Sequence, residues 1–261
     1  MKRLVQAVGQ NSLATVAGLG DFATFTSRAL VAARTARGLG GRWIRAVHEQ
    51  GVRCVPVVVV VGLFSGLVLG LQGYYVLARF GSAGVLGTFV SLTLTRELAP
   101  VLAAIMIIGQ AGSAIAAEIG IQRNSEQIDA LTTMGIDPLG YLITPRLLAS
   151  LIVFPILTVA FVLVGIAGGY LSGCVLLGLD AGVYWSGVHS AIRPEDTREC
   201  LLKAFVFGVV TIAICCHSGF TTHRRVGVSG SRAVSVSTTR GVVLSCIATL
   251  AADYLITSFL V

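Results

Sequence analysis

Five long stretches without a charged side chain set the pattern of this chain: Cys54 to Ala78, Leu98 to Ala117, Leu147 to Leu179, Ala204 to Thr222, and Gly241 to Val261, the last broken only by Asp253. A helix needs about 20 apolar residues to cross the hydrocarbon core of a bilayer, so each run predicts one membrane span. The fold class expected is therefore all-α and polytopic, and the run from Leu147 is long enough to cross with tilt. Ahead of these runs, Leu19, Phe22, Phe25, Ala29 and Ala33 recur at helical spacing, with Arg28, Arg34, Arg37, Arg42 and Arg45 nearby. That stripe predicts one or two amphipathic helices lying at the membrane surface, with arginines toward anionic headgroups. A solvated basic tail is the alternative. The chain divides into an interfacial segment, 1–53, retained on the cytosolic side, and a membrane domain, 54–261.

Between the second and third runs, Asn124 to Pro138 reads as one short helix. Asn124 is placed to cap its start, Gln127 to reach back at the third helical position, and Gly135 with Pro138 to stop it. Ile128 and Leu131 fall on one side with Met134 nearby, while Glu126 and Asp129 present acid. Such a mixed surface suits a groove on another protein, and equally an ordinary loop helix packed on its own bundle.

Pro56 opens the first span and Pro145 the third, where first-turn donors are unpaired anyway. Pro100 and Pro155 fall inside helices and should bend them, freeing carbonyls that neighbours must satisfy. Gly62, Gly66 and Gly70, and Gly165, Gly168, Gly169 and Gly173, let helices approach closely, which predicts a tight bundle or a dimer. Asp180 to Lys203 is expected to be an external excursion with a short helix around Glu195 to Leu202.

Composition agrees with a membrane protein: 55% of the 261 residues are hydrophobic and 12% charged, and mean hydropathy is +0.86. Basic residues crowd into the N-terminal segment, the Arg123 to Arg146 loop and the Arg224, Arg225, Arg232, Arg240 loop. The opposite loops hold only Arg79, Arg193, Arg198 and Lys203, the last three among Glu195, Asp196 and Glu199. By the positive-inside rule the N-terminus is cytosolic and, after five crossings, the C-terminus is outside. The net charge of +7 is thus a topology signal, and nothing in its distribution suggests nucleic-acid binding. The six cysteines show no metal-ligand spacing and read as small buried hydrophobes, and no histidine has a companion for a metal site.

The chain carries no GxxxxGK[ST] phosphate loop and its only lysines are Lys2 and Lys203, so any motor belongs to another subunit. Arg96 and Glu97, expected at the start of the second span, point about 100° apart on a helix. Either Arg96 snorkels outward while Glu97 bonds a neighbouring helix, or the pair serves a site. Gln72, Tyr74 and Tyr75 sit at the outer end of the first span, as belt anchors or as cavity lining. Asp253 is an intramembrane carboxylate that calls for a hydroxyl or basic partner on another helix.

The segment ELAPVLAAIMIIGQAGSAIAAEIG, followed by EQIDALTTMGIDPLGYLITPRLLA, closely resembles the signature region of the MlaE-type permeases, the membrane subunits of Mce-associated ABC lipid transporters. The likeness continues through GLVLGLQGYYVL, VGIAGGYLSG and STTRGVVLSCIATLAADYLITS, and so spans most of the chain from about residue 40 onward. It implies an N-terminal interfacial helix followed by five membrane helices. It implies a homodimer of permeases paired with two cytosolic ABC ATPases that bind the ATP, no cofactor on this chain, and a periplasmic Mce-domain lipid-binding protein. The implied setting is the bacterial inner membrane, and the implied cargo is phospholipid moved in support of the outer membrane. Within that resemblance the helix matching Ser125 to Met134 is the coupling helix, which nominates Glu126, Ile128, Leu131, Met134, Gly135, Asp137 and Pro138 as ATPase contacts. The matching Arg96–Glu97 pair lies by an outward-facing lipid cavity, to which Leu69, Gln72 and Tyr75 are assigned, with Leu71 and Val76 along the acyl tails. Two departures stand out: Gln110 replaces a common basic residue in GQAGSA, and the His217 to Thr239 loop is less acidic than is usual. Against this reading stand an autonomous secondary transporter or channel coupled through Glu97 and Asp253, and a scaffold anchoring a lipid-binding protein.

Overall fold

Lipid offers no hydrogen bonds to a bare backbone, so apolar segments that cross it must satisfy their own N–H and C=O groups, and the chain does this with helices. The computed structural model describes residues 17–18, 20–32, 38–222 and 230–260, and every regular element among them is helical. Two helices precede the spans: α1 (20–32) and α2 (Leu39–Gly51). The spans are α3 (Val55–Arg79), α4 (Ala83–Asn124), α6 (Leu139–Leu176), α8 (Pro194–Phe220) and α9 (Ser231–Leu260). Two short helices complete the order, α5 (Gln127–Thr133) between α4 and α6, and α7 (Ala181–Ala191) between α6 and α8.

The tightest crossing is that of α3 on α6, and it is made by the glycines. A methyl group on Gly66 would overlap the Gly165 carbonyl, one on Gly168 the Leu63 carbonyl, and one on Gly70 the Ser172 hydroxyl. Small residues at four-residue spacing thus bring two backbones of the same chain together, resolving the expected close approach as a packed bundle within the subunit. Behind this contact, Phe154, Phe161 and Phe207 are fully buried. Helices α8 and α9 meet instead through hydroxyls: Ser218 Oγ donates to the Ser237 carbonyl at 2.7 Å, Ser237 Oγ donates back to the Ser218 carbonyl, and Ser245 Oγ donates to the Thr211 carbonyl at 3.2 Å. The cysteines are all free; Cys54, Cys200, Cys215 and Cys216 are buried, as small apolar residues are.

Several boundaries differ from expectation. Helix α4 begins well before Leu98, because Leu86, Val90 and Leu94 are fully buried and carry the helix up to the charged pair. Arg96 and Glu97 therefore lie inside the span and not at its start. The short helix of the Asp180 to Lys203 segment is α7, closed at its start by Asp180, whose Oδ1 accepts from the Val183 N–H at 3.0 Å. Glu195 to Leu202 are instead the first turns of α8, with Pro194 in its first turn and Asp196 Oδ2 accepting from the Arg193 N–H at 3.0 Å. In α7, burial pushes the Tyr184 phenol well above its ordinary range, and its hydroxyl donates to the Ile166 carbonyl at 2.9 Å.

The stripe on α1 finds its partner in the protein. Phe25 and Ala29 are buried, Phe22 and Phe25 stand edge-on to His217 with centroids 5.7 and 5.2 Å away, and the Ala29 carbonyl accepts from Thr144 Oγ1 at 2.7 Å. Leu19, Ala33, Arg34 and Arg37 lie outside the described residues, as do Arg224 and Arg225. Helix α2 packs on α6, where Gln50 Nε2 donates to the Arg146 carbonyl at 3.1 Å. A π-helical turn, Leu139–Ile143, extends α6 ahead of Pro145, so the Tyr141 carbonyl four residues back loses its usual donor. Arg42 of α2 supplies one, with Nη1 at 3.0 Å, and its guanidinium stacks 4.3 Å from the Tyr141 ring centre.

Candidate functional site

Three places among the described residues bear on the expected site residues, and the first is built around a proline. Pro100 in α4 has no N–H for the Arg96 carbonyl four residues back, and the preceding turn, Leu94–Leu98, widens to a π-helical one. The missing donor is Lys203 of α8, whose Nζ lies 2.8 Å from the Arg96 carbonyl oxygen. From that point the ammonium reaches two carboxylates, Glu97 Oε1 and Asp253 Oδ1 of α9, each at 3.0 Å. Thr257 Oγ1 donates to the same Glu97 oxygen at 3.3 Å, while Asp253 Oδ1 is held by the ammonium. Lys203 is 1% exposed, so its charge is held by these groups and not by water.

Arg96 belongs to the same cluster through a different partner. Its Nε and Nη2 both lie 2.7 Å from Asp196 Oδ1, while the Asp196 Oδ2 closes the start of α8. Two basic side chains thus stand among three acidic ones. Glu97 bonds neighbouring helices, and the Arg96 side chain is 51% exposed with part of its guanidinium already committed. Asp253 has the basic partner its position demands. Lys203 and Asp196, read from sequence as loop charges, are the two residues that organise the cluster. A lone lysine bordering an apolar run, and an acid two residues after Pro194, were the available signals.

The second place is an apolar cleft of about 170 Å³ between α3 and α4, lined by Leu69, Gln72, Gly73, Val76, Leu77 and Phe89. Leu69, Gln72, Gly73 and Val76 follow one another at i, i+3, i+4 and i+7, the spacing of one helix face. Of the expected cavity residues, Leu69 and Gln72 meet here. Tyr75 does not line it, because it is off that face, 57% exposed and edge-on to Tyr74. Arg96 and Glu97 do not line it either, and they stand with α8 and α9.

The third place is α5 and its two corners. Asn124 ends α4 and does not cap α5; the corner is made by Glu126, whose φ of 59° is left-handed and whose side chain caps nothing. Gln127 opens α5 without reaching back. The stop is as expected: Gly135 has φ 74°, its N–H donates to the Thr132 carbonyl at 3.0 Å, and the Ile136 N–H donates to the Leu131 carbonyl at 3.0 Å. Asp137 then caps the next helix, its carboxylate accepting from the Leu139 and Gly140 N–H groups at 3.2 and 3.1 Å, with Pro138 between. Ile128 is buried in the bundle's own core, which fixes the helix, and Leu131 is half-buried. The outward face is Glu126, Gln127, Ala130, Thr133 and Met134, the last 72% exposed. Asp129 pairs with Arg123 at 2.7 Å and ties α5 to the end of α4.

The family model described as Permease MlaE matches residues 43–259. A probable ABC transporter permease protein of Rickettsia felis is 36% identical over 97% of this chain and 96% of its own length. The intermembrane phospholipid transport system permease protein MlaE of Haemophilus influenzae is 37% identical over 83% of this chain and 82% of its own. A probable ABC transporter permease of Synechocystis is 36% identical over 81% and 78%. Five apolar helices long enough to cross a membrane and a family match over nearly their whole extent lead to one conclusion: this chain is a membrane protein of the MlaE permease family.

Proposed function

We propose that the chain is the membrane subunit of an ATP-binding-cassette transporter that moves phospholipid between the bacterial inner membrane and a periplasmic Mce-type lipid-binding protein, in support of the outer membrane. Two copies pair, a separate cytosolic ATPase binds and hydrolyses the ATP, and this chain itself catalyses nothing. The observation that carries the reading is α5: Ile128 and the Arg123–Asp129 bridge fix it on the bundle, while Gln127, Ala130, Thr133 and Met134 face outward between two spans. A helix held on one face and open on the other transmits force as a lever. The basic residues of α1, α2 and the neighbouring loops support a cytosolic setting for this end of the bundle and the N-terminus, with the C-terminus outside. The cleft at Leu69 and Gln72 takes acyl chains and the Arg96 guanidinium meets phosphate.

Reconstitution with the ATPase partner tests this directly. Phospholipid stimulates hydrolysis in the wild type. Leu131→Pro, which costs α5 about 3 kcal/mol, abolishes the stimulation. Unaltered stimulation overturns the lever. A second reading is favoured by the Lys203–Glu97–Asp253 cluster: an ATPase-independent transporter that uses these charges for ion coupling. It predicts lipid movement by the purified chain alone, and so does not survive if transport needs the ATPase. A scaffold that only anchors a lipid-binding protein predicts neither activity.

A further inference from the structure

We infer that the α5 end of the bundle carries a second lipid site, a headgroup pocket selective for phospholipids with a primary ammonium. The inference takes from the proposed function only that the chain sits in a phospholipid bilayer. The pocket measures about 180 Å³ and lies among α2, α4 and α6, where Glu49, Gln50, Arg53, Gln110, Glu118 and Arg146 line it. It is distinct from the Leu69 cleft and shares no residue with it.

Its polar groups divide into those already engaged and those left over. Glu118 and Arg146 neutralise one another at 2.7 Å, and Gln122 Nε2 also donates to Glu118 Oε1, at 3.3 Å. Gln110 brings an amide and no charge. That leaves Glu49 and Arg53, four residues apart at the end of α2, both exposed and neither in an ion pair with any described residue. It also leaves Gln50 Oε1. Gln50 is 2% exposed, its amide nitrogen is spent on the Arg146 carbonyl, and its oxygen is buried with no hydrogen-bond partner. A buried acceptor without a donor is costly, and native structures rarely leave one.

The complement of these leftovers is a zwitterion with N–H donors. Gln50 lines the pocket, and a turn of its amide offers Oε1 to an ammonium that faces Glu49, while a phosphate faces Arg53 at the rim. A quaternary ammonium carries no N–H and leaves the Gln50 oxygen unsatisfied, so phosphatidylethanolamine is preferred over phosphatidylcholine. The position suits a lipid: Arg53 stands where the amphipathic α2 turns into the first span, and Val52, Val55 and Val57 beside it are exposed and apolar. Those valines offer the acyl chains a wall.

The experiment places a photoreactive phenylalanine at Ala114, an exposed residue lining the pocket, in the full-length chain in vesicles of phosphatidylcholine with or without phosphatidylethanolamine. Labelling of phosphatidylethanolamine exceeds that of phosphatidylcholine about ten-fold, as expected for one hydrogen bond from a charged donor. Glu49→Gln and Gln50→Leu each bring the two lipids toward parity, and Arg53→Gln lowers labelling by both. Glu49→Gln changes an exposed rim residue and keeps the test decisive should Gln50→Leu fail to fold. Equal labelling by both lipids in the wild type, or an undiminished preference in Glu49→Gln, overturns the site. Soluble phosphoethanolamine fails to compete; full displacement by it would assign the pocket to a free headgroup and overturn the lipid claim. The same label at Val76 reports on the apolar cleft, so loss of labelling there bears on the proposed transport cavity and not on this pocket.

Discussion

The α3–α6 crossing and the α4–α8–α9 crossing hold helices together in the same bilayer by opposite means. In the first, Gly66 against the Gly165 carbonyl and Gly168 against the Leu63 carbonyl bring backbone onto backbone, so that dispersion does the work. In the second, Lys203 inserts a charge between three helices and is held by a carbonyl and two carboxylates. The dry contact tolerates no added atom. The charged contact tolerates no lost partner, because the residue left behind keeps its desolvation cost without its attraction. Backbone packing and charge pairing are thereby placed at different crossings of one bundle.

The sharpest break is Lys203→Met. Glu97 and Asp253 then face one another without a cation and the Arg96 carbonyl loses its donor, for a loss of about 3–5 kcal/mol in unfolding free energy. If the cluster stabilises only as a set, adding Glu97→Gln and Asp253→Asn to Lys203→Met restores most of the thermal midpoint in detergent; no recovery would mean that the network is not one unit. Next comes Gly66→Leu, where the obstruction is backbone and cannot rotate away, costing about 1–3 kcal/mol. Its effect on the midpoint is indifferent to substitutions at Glu97 or Asp253, since the two contacts share no residue. The mildest is Thr257→Val, which removes one hydrogen bond to a half-exposed carboxylate and lowers stability by about 1 kcal/mol, read from the same unfolding curve. A loss from Thr257→Val as large as that from Lys203→Met would mean that the hydroxyl, not the ammonium, organises Glu97.

Much of this was legible from residue types and spacing. The glycines at 62, 66 and 70 announced a close helix contact, and Gly135 announced the stop of α5, since only a left-handed residue closes the Ile136-to-Leu131 bond. Pro100 announced a carbonyl in need of a donor. Its donor was not announced, because Lys203 lies 107 positions away and reads locally as the edge of a loop. The apolar stripe of α1 was legible as a stripe, but its partner proved to be the bundle end around His217 and not headgroups alone. The Glu126 corner misled for a physical reason: a non-glycine in the left-handed region costs about 1–2 kcal/mol and is not what capping rules anticipate. Tyr75 stands off the face that Leu69, Gln72, Gly73 and Val76 present to the cleft.

By itself the sequence determined that five helices cross the membrane, since uncharged runs of that length leave lipid-exposed backbone no other way to bond its polar groups. It also determined where chains can touch closely and where helices must stop, because glycine and proline act through their own backbones. Which charge meets which was decided only by tertiary structure. Glu97 and Thr257 stand 160 positions apart, and no periodicity or spacing carries that pairing; three helices must first be packed before their carboxylates and ammonium share one low-dielectric space.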